Sequence, residues 1–350
     1  MLLCDFNINN LFVRYKFGRA YPGDRSGKSA VEAEDLANVG YLPMYTKGSF
    51  DIFNNTQRTL AARALTQDGQ VSPDVICLQE VESLIALRVF NELYLENAYP
   101  YALLIDSRDL RQIDVGILSN LPITRARSHV DDFVKNGEFK GTPLFSRDCL
   151  EVTLEYNGKE ITLFVNHFKS RSPRGKNQAE KEADMAKSRR RRNMQATTVA
   201  RLLAERFTGS DYQRRLFAVL GDLNDTPEDS PLKPLVEDCG LVDGLGGLAP
   251  LERWTNYYKS KGSVTQLDHV LLSPALAQLL REVKIERRGI GFRAISKKDP
   301  SKVLPENAKF EHHENDKKPE LLDFQFERFD GVSAENGASD HCPIFLRFDL

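Results

Sequence analysis

The sequence predicts an α/β or α+β protein with strand hairpins, and three observations carry that prediction. Apolar, β-branched runs recur along the whole chain, helical stripes separate only some of them, and an Asn-Gly pair joins two neighbouring runs. A simple repeating βαβ series would need a helix in every gap, which this pattern does not supply.

The strand-like runs are Leu2–Ile8, Asp74–Leu78, Tyr101–Ile105, Asp114–Ser119, Leu150–Tyr156, Ile161–His167, Leu216–Leu220, Leu267–Leu272 and Pro343–Phe348. In "YNGK", Asn157 and Gly158 predict a two-residue hairpin turn, because both residues tolerate positive φ. Helical spacing marks Thr56–Leu65 and Ser83–Leu95. It also marks the stripe of Ala196, Val199, Ala200, Leu202, Leu203 and Phe207. "SPALAQLL" opens a further helix, with Ser273 as N-cap and Pro274 at the first helical position. Two stretches read as long loops: Arg14–Asn55, rich in Gly, Pro and Tyr, and the highly charged Gly289–Gly337. There is no internal repeat.

The length of 350 residues suggests two domains, at ~100–200 residues each. A 41% hydrophobic content supports a sizeable core, and a net charge of −2 means that any polyanion site must be a local patch. The five cysteines include no CxxC pair, and Cys4, Cys77 and Cys149 lie in apolar runs, where cysteine acts as a small hydrophobe. That usage predicts reduced thiols and a cytoplasmic location. The N-terminus lacks the basic region and cleavage site of a signal peptide, so secretion is open only to a chain whose leader was removed. No run approaches the ~20 apolar residues of a membrane span, so no membrane partner is expected, and the chain is expected to act as a monomer.

The polar clusters share one grammar: an apolar strand ends, and an acid, amide or histidine follows. "CDFNIN" supplies Asn7, "VICLQEVE" Glu80, and "LFVNHFKSR" Asn166, His167 and Lys169. "VLGDLND" supplies Asp222 and Asn224, "TQLDHVLLS" Asp268, and "ASDHCPIF" Asp340 and His341. Taken singly, each also fits a solvated strand end, a turn or a hydrogen-bonded core histidine. Together they form the inventory that phosphoester hydrolysis needs. That inventory is hard oxygen ligands for Mg²⁺, a carboxylate to activate water, and donors for phosphoryl oxygens.

The order FN, LQE, NHFKS, GDLND, LDHVLLS, SDHCP resembles the endonuclease/exonuclease/phosphatase superfamily, from Asn7 to His341. The resemblance implies a four-layer α/β/β/α sandwich of two packed mixed sheets flanked by helices. It also implies a single domain over 1–350, with insertions at about 14–55 and 289–337. Carried over, Glu80 is the main Mg²⁺ ligand, with Asn7 assisting and Asp340 in the metal region; Mn²⁺ substitutes. Asp222 orients or deprotonates the attacking water, Asn224 positions the phosphate, and His167 donates to a phosphoryl oxygen. His341, oriented by Asp268, stabilises the transition state or acts as base. The proton acceptor, Asp222 or His341, and the number of metal ions stay open. "RQIDVGILS" adds Arg111 and Asp114 as weaker rim candidates. The family usually has glycine where Gln112 stands, so a different backbone is expected there.

Residues 169–192 hold ten basic and three acidic side chains, a local +7 that includes Lys169, Arg171 and Arg189, Arg190, Arg191 and Arg192. Four consecutive arginines on a helix point in four directions at ~100° steps and cannot form one face. With the next helix starting near Asn193, they would also oppose its dipole. The run is therefore expected as a loop that contacts phosphates flanking the scissile one. "FNINNLF", "NHFKSR" and "RNMQA" are also similar to bacterial nuclease-like members. A nuclease or phosphodiesterase is expected, with DNA favoured over RNA; the alternatives are a phosphatase for an inositol lipid or other small phosphoester, and an inactive binding module. Tyr15, Phe17, Tyr21, Tyr41 and Tyr45 either stack on bases or form a local apolar cover. "PGDRSGKS" lacks the first glycine of a phosphate-binding loop, "DLNDTPED" has Pro227 where a calcium loop needs glycine, and "EHHEN" at 311–315 reads as a solvated loop. Thr226 to Asp229 reads as a turn, with Asp225 belonging to it, and an extended Asp222–Asn224 segment would aim both side chains one way.

Overall fold

Side chains alternate along the first strand, β1 (Leu2–Leu11): Leu3 enters one core while Cys4, Phe6 and Ile8 enter another. Burial on both faces explains why the strands read as continuous apolar runs rather than as alternating ones. The computed structural model describes residues 1–12, 55–171, 173, 175–226, 230–258, 263–291, 294–296, 299–303, 307–312, 320–325, 327–333 and 336–350.

In chain order β1 is followed by β2 (Val75–Val81), β3 (Tyr101–Leu104), β4 (Asp114–Ser119), β5 (Ile123–Arg127) and β6 (Cys149–Tyr156). Then come β7 (Lys159–His167), β8 (Leu216–Asp222), β9 (Val242–Asp243), β10 (Asn256–Tyr258), β11 (Ser263–Thr265) and β12 (Asp268–Leu272). The last are β13 (Leu280–Ile285), β14 (Ala294–Ser296), β15 (Asp299–Val303), β16 (Asn307–His312), β17 (Glu320–Gln325) and β18 (Ile344–Phe348). The helices are α1 (Asn55–Leu65), α2 (Leu84–Tyr94), α3 (Gln178–Arg206), α4 (Asp211–Arg214) and α5 (Pro274–Ala277).

One six-stranded sheet has the order β13-β18-β1-β2-β4-β3, and the other β5-β6-β7-β8-β12-β9. Leu3, Val75, Cys77, Val115 and Ile344 from the first sheet pack against Val152, Leu163, Val165, Leu220 and Val270 from the second. The outer face of the first sheet packs on α1 and α2 through Leu60, Ala64, Leu87 and Phe90. Phe164, Phe217 and Val219 of the second meet Ala196, Val199 and Leu203 of α3. The result is the α/β/β/α sandwich, and each fully buried aliphatic side chain contributes roughly 1.5–3 kcal/mol.

The predicted hairpin turn forms as expected. Asn157 and Gly158 take φ of 51° and 74°, and Tyr156 pairs with Lys159 across the β6–β7 ladder. Ser83 caps α2 by accepting from the Ala86 amide. Three expectations fail. α3 starts at Gln178, well before the apolar stripe, because Asn177 caps it and its exposed first half is built from good helix formers. The helix start at Ser273 and Pro274 forms as expected, with Ser273 accepting from the Leu276 amide, but α5 stops at Ala277, since Leu280–Ile285 pairs with β18 instead of extending the helix. The stretch 289–337 is not a structureless loop. It holds the β14–β15 hairpin and β16–β17, which continue the small sheet β10-β11-β16-β17. Its charged residues hid a period-two pattern, which the register reveals by pairing Ala308 with Phe324 and Phe310 with Leu322. The five aromatics of the first long stretch, "PGDRSGKS", residues 313–315 of "EHHEN" and residues 227–229 of the expected turn lie outside the described residues.

Candidate active site

Strand register builds the site. Parallel pairing of β7 with β8 sets His167 opposite Asp222, and antiparallel pairing of β12 with β8 sets Asp268 opposite Asp222. Three functional side chains thus stand in one row where β7 and β8 end. Gly221 permits this approach: its φ is +120°, and a Cβ there would lie 2.0 Å from the Asn166 carbonyl oxygen.

The first sheet supplies the facing groups. Asn7 Nδ2 donates to Asp222 Oδ2 at 3.0 Å, bridging the two sheets. Beyond it Asn9 and Asn10 take φ of 54° and 60°, a conformation Asn tolerates, and turn the Asn10 amide to donate to Glu80 Oε2 at 3.1 Å. Arg58 of α1 holds this kink by donating to the carbonyls of Ile8 and Asn10. Glu80 has φ of +65° at a break in the β2–β4 register, so a bulge rather than a strand end aims its carboxylate.

Asp222 Oδ2 is the meeting point. His167 Nε2 lies 3.4 Å from it and His341 Nε2 3.9 Å, in addition to the Asn7 amide. His341 Nδ1 lies 2.7 Å from Asp268 Oδ2, so the imidazole is oriented as expected. Burial would by itself lower the His341 pKa, but Asp268, Asp222 and Asp340 outweigh it and raise the value well above the ordinary one. His167 moves the opposite way: burial, reinforced by Arg147 and His341, keeps it neutral. Burial, with Asp268 and Glu80 adding to it, pushes the Asp222 carboxyl up to about 7. Two histidines and a carboxylate within a few ångströms are driven to different protonation states, the arrangement acid–base chemistry needs.

Glu80, Asn7 and Asp340 offer hard oxygen donors. Burial raises the Glu80 carboxyl, and the neighbouring exposed Asp340 raises it further, a repulsion that a divalent cation would relieve. Asp222, Asp268 and His341 also bring ligand atoms within 4.8 Å of one another. In that group, however, the Asp268–His341 hydrogen bond already uses one atom from each of two members. Glu80 and Asp340, with Asn7, are oxygen donors outside that pair that could hold a metal.

Arg147 belongs to the site and escaped the sequence reading. Its buried guanidinium donates to Asp109 Oδ2 at 3.0 Å and to the Phe168 carbonyl at 2.9 Å, and it acts electrostatically on both Glu80 and His167. A signal was present. The Tyr156–Lys159 pair of the hairpin fixes the register, and counting back places Arg147 opposite Phe168, next to His167.

The weaker candidates divide. Arg111 acts on Glu80 and His167 and stands half-exposed beside Asp109. Asp114 is not a rim residue: it is buried and accepts from Ser107, and burial raises its carboxyl to about 6. Gln112 adopts φ of +55°, the region that suits glycine, so the expected change of backbone at this position does not occur. Asn224 is not extended but left-handed at φ +56°. Its amide N–H donates to Asp222 Oδ1 at 3.0 Å, and its Nδ2 to the Phe168 carbonyl. Lys169 ties its backbone N–H to Gln195 Oε1, and Arg171 Nη1 approaches Asp225 Oδ1 at 3.6 Å.

The arginine run lies inside α3 rather than in a loop. Its four directions are real, and Arg190, Arg191 and Arg192 each meet a partner. Arg190 forks onto Glu138 at 2.9 and 3.0 Å. Arg191 donates to Thr142 Oγ1 and the Leu144 carbonyl, with the Phe139 ring 5.1 Å away. Arg192 pairs with Asp225 at 2.6 Å, both side chains buried. These partners come from residues 138–144 and from Asp225, segments whose positions the local charge count could not reveal. Arg189 is exposed. Asp225, expected as a turn residue, is a buried anchor whose carbonyl also meets His269 Nε2 at 2.7 Å.

The sequence profile of the "Endonuclease/Exonuclease/phosphatase family" matches residues 46–349. The chain belongs to this family. Members are phosphoester hydrolases, and that is the class of this chain. The Asn7 motif lies before the matched residues and is placed by geometry alone. No curated protein matches in sequence. Among solved structures, a beta toxin from Staphylococcus aureus (variant 275-280) is 13% identical, with 100% of each chain covered and a TM-score of 0.53. A humanized TDP2 from D. rerio is 13% identical over 100% of this chain and 99% of its own, with a TM-score of 0.52. A beta toxin mutant from Staphylococcus aureus, solved with bound magnesium ions, is 13% identical over 99% of both chains, with a TM-score of 0.51. These likenesses show the family's fold. Among the described residues no helix is long and apolar enough to cross a membrane.

Proposed function

We propose that this protein is a Mg²⁺-dependent phosphodiesterase that cleaves nucleic-acid backbone, DNA in preference to RNA, by in-line attack of water. The observation that carries the reading is the convergence of Asn7, His167 and His341 on Asp222 Oδ2. The same convergence supports one domain over residues 1–350, because Asn7 and His341 come from opposite ends of the chain.

Bound at Glu80 with Asn7 and Asp340, Mg²⁺ would neutralise phosphate charge and polarise a phosphoryl oxygen. The side chains divide the remaining work. Asp222, its carboxyl raised by burial, takes the proton of the attacking water as the O–P bond forms. Neutral His167 turns Nε2 toward Asp222, where it donates to a non-bridging oxygen. Charged His341, held by Asp268, faces the negative charge that develops on the phosphorane-like transition state. The opposite P–O bond breaks, and its electron pair leaves with the departing oxygen. A histidine held protonated is a poor base, which favours Asp222 for that role.

Arg111 and Arg171 supply half-exposed positive charge beside the row and buried Arg147 adds its field, which suits a substrate carrying phosphates on both sides of the scissile one. Arg191 and Arg192 bind residues of the fold, while Lys169 and the exposed Arg189 and Arg190 remain the candidates for contact with flanking phosphates. All five cysteines are free thiols, which supports a cytoplasmic enzyme. Side-by-side assay of plasmid DNA, single-stranded DNA, RNA, a generic phosphodiester and an inositol phosphate tests the reading. Turnover of DNA above the others is expected. Robust turnover of the inositol phosphate with inert nucleic acids would overturn the nuclease assignment.

A further inference from the structure

Two short segments leave the sandwich side by side and carry most of the reacting groups: the one after β7, following His167, and the one after β8, following Asp222. Their backbones meet where the Phe168 amide donates to the Asp222 carbonyl at 2.9 Å. The ladder that pairs His167 with Asp222 ends at that bond, and just past it the Phe168 carbonyl accepts from Asn224 Nδ2 and Arg147 Nη1 while the Lys169 amide donates to Gln195 Oε1.

Arg192 of α3 reaches both. Its Nε lies 2.6 Å from Asp225 Oδ2 on the β8 side, and its Nη1 donates to the carbonyl of Lys169 at 3.1 Å and of Ser170 at 3.5 Å on the β7 side. The second oxygen of Asp225 faces Arg171 at 3.6 Å, and the Asp225 carbonyl is held by His269 of β12. One buried carboxylate therefore binds an inward arginine from the helix and a half-exposed one at the mouth of the site. A buried ion pair contributes little net stability over well-packed apolar residues, because desolvation consumes most of its Coulomb gain. What the pair does supply is geometry: a planar fork of fixed donors that apolar contact or a lysine could not reproduce.

We propose that Arg192 and Asp225 are positioning residues, a strut that fixes how the segment following His167 sits against the segment that carries Asn224. The inference rests on the phosphoesterase reading of the site. With the strut intact, Asn224 and the backbone beyond His167 keep the positions that one phosphoryl group beside Asp222 requires. Without it, the Lys169 and Ser170 carbonyls lose the Arg192 donors that tie them to Asp225.

The test compares Arg192→Ala, Arg192→Lys and Asp225→Asn in the full-length chain, with Arg201→Ala on the same helix as control. Arg201 carries only an exposed pair with Glu205. Hydrolysis of an oligonucleotide and of a small phosphodiester in Mg²⁺ gives kcat and KM, and long-range ¹H–¹⁵N correlation spectra read the His167 ring. Arg192→Ala is expected to lower kcat about 100-fold, the scale of a ~1 Å misplacement. KM should stay within about threefold, as for a loss confined to the transition state. Arg192→Lys should fall in between, and added guanidinium should restore part of the Arg192→Ala rate. The His167 resonances should shift in Arg192→Ala and Asp225→Asn and stay fixed in the control. Wild-type kcat with unshifted His167 signals in any folded variant of the pair overturns the strut. So does a loss carried by KM alone. Should Arg192→Ala fail to fold, Arg192→Lys and Asp225→Asn decide by the same criteria. A wild-type protein inert on every phosphoester would overturn the reading of the site, while the spectra would still decide the strut.

Discussion

Asp268 Oδ2 lies 2.7 Å from His341 Nδ1, a buried carboxylate–imidazole bond between residues 73 positions apart. The bond fixes the ring so that Nε2 faces Asp222, and it offsets the burial that would otherwise strip the proton from His341. Asp268→Asn removes the offset but keeps the shape, and kcat is expected to fall at least about 100-fold. The pH dependence follows from the sign of the shift. A raised His341 pKa keeps the ring charged to higher pH, so wild-type activity is lost only as pH climbs through that elevated value. In Asp268→Asn the alkaline loss should begin at lower pH. The same pair contributes stability that is full below the ordinary histidine value of about 6.5 and fades as pH rises through the folded-state value. The difference in melting temperature between wild type and Asp268→Asn should therefore shrink on the alkaline side.

Glu80 is held in a buried bulge with its carboxyl raised, chiefly by desolvation. Glu80→Gln removes the buried charge and the metal ligand together. Activity is expected to vanish in Mg²⁺, while thermal stability in EDTA stays level or increases, because a desolvated carboxylate costs free energy. A clear fall in melting temperature in EDTA would show that Glu80 serves mainly the fold.

Arg147 donates to Asp109 and to the Phe168 carbonyl while its charge reaches Glu80 and His167. Arg147→Lys keeps the charge and loses the fork that holds the segment after His167, and should reduce kcat on a small phosphodiester about 100-fold, the scale of a ~1 Å misplacement. Circular dichroism should show the fold retained.

Gly221 cannot accept a side chain, since an added Cβ would sit 2.0 Å from the Asn166 carbonyl at a φ of +120°. Gly221→Ala should destabilise by more than about 2 kcal/mol in urea unfolding and lower activity even at low temperature, by parting β7 from β8.

Much of this site was legible because it depends on strand ends. His167 and Asp222 close the runs of β7 and β8 and Asp268 opens that of β12, whereas Asn7 lies inside β1 and His341 before β18; a polar residue at the boundary of a run announces which end of the sheet it occupies. Long-range pairing was not legible. The alternation of "NAKFEH" and "ELLDFQ" was buried under charge, and "ALAQLL" fits helix and strand until β18 claims the chain from Leu280 onward. The arginines show the same limit more sharply. Their local +7 was correctly counted, but net charge says nothing of partners such as Glu138, Thr142 and Asp225, which are 52, 49 and 33 positions away. Arg147 is the reverse case, a lone residue with no cluster around it, found only by counting register from the hairpin turn.

The most direct test of the account is Mg²⁺-dependent cleavage of a DNA oligonucleotide by wild type and Asp222→Asn, each with and without EDTA, alongside their melting curves. The account predicts that EDTA abolishes wild-type cleavage and that Asp222→Asn loses at least about 1000-fold in kcat without losing its cooperative melting transition. Cleavage that persists in EDTA, or an Asp222→Asn protein as active as wild type, would contradict it.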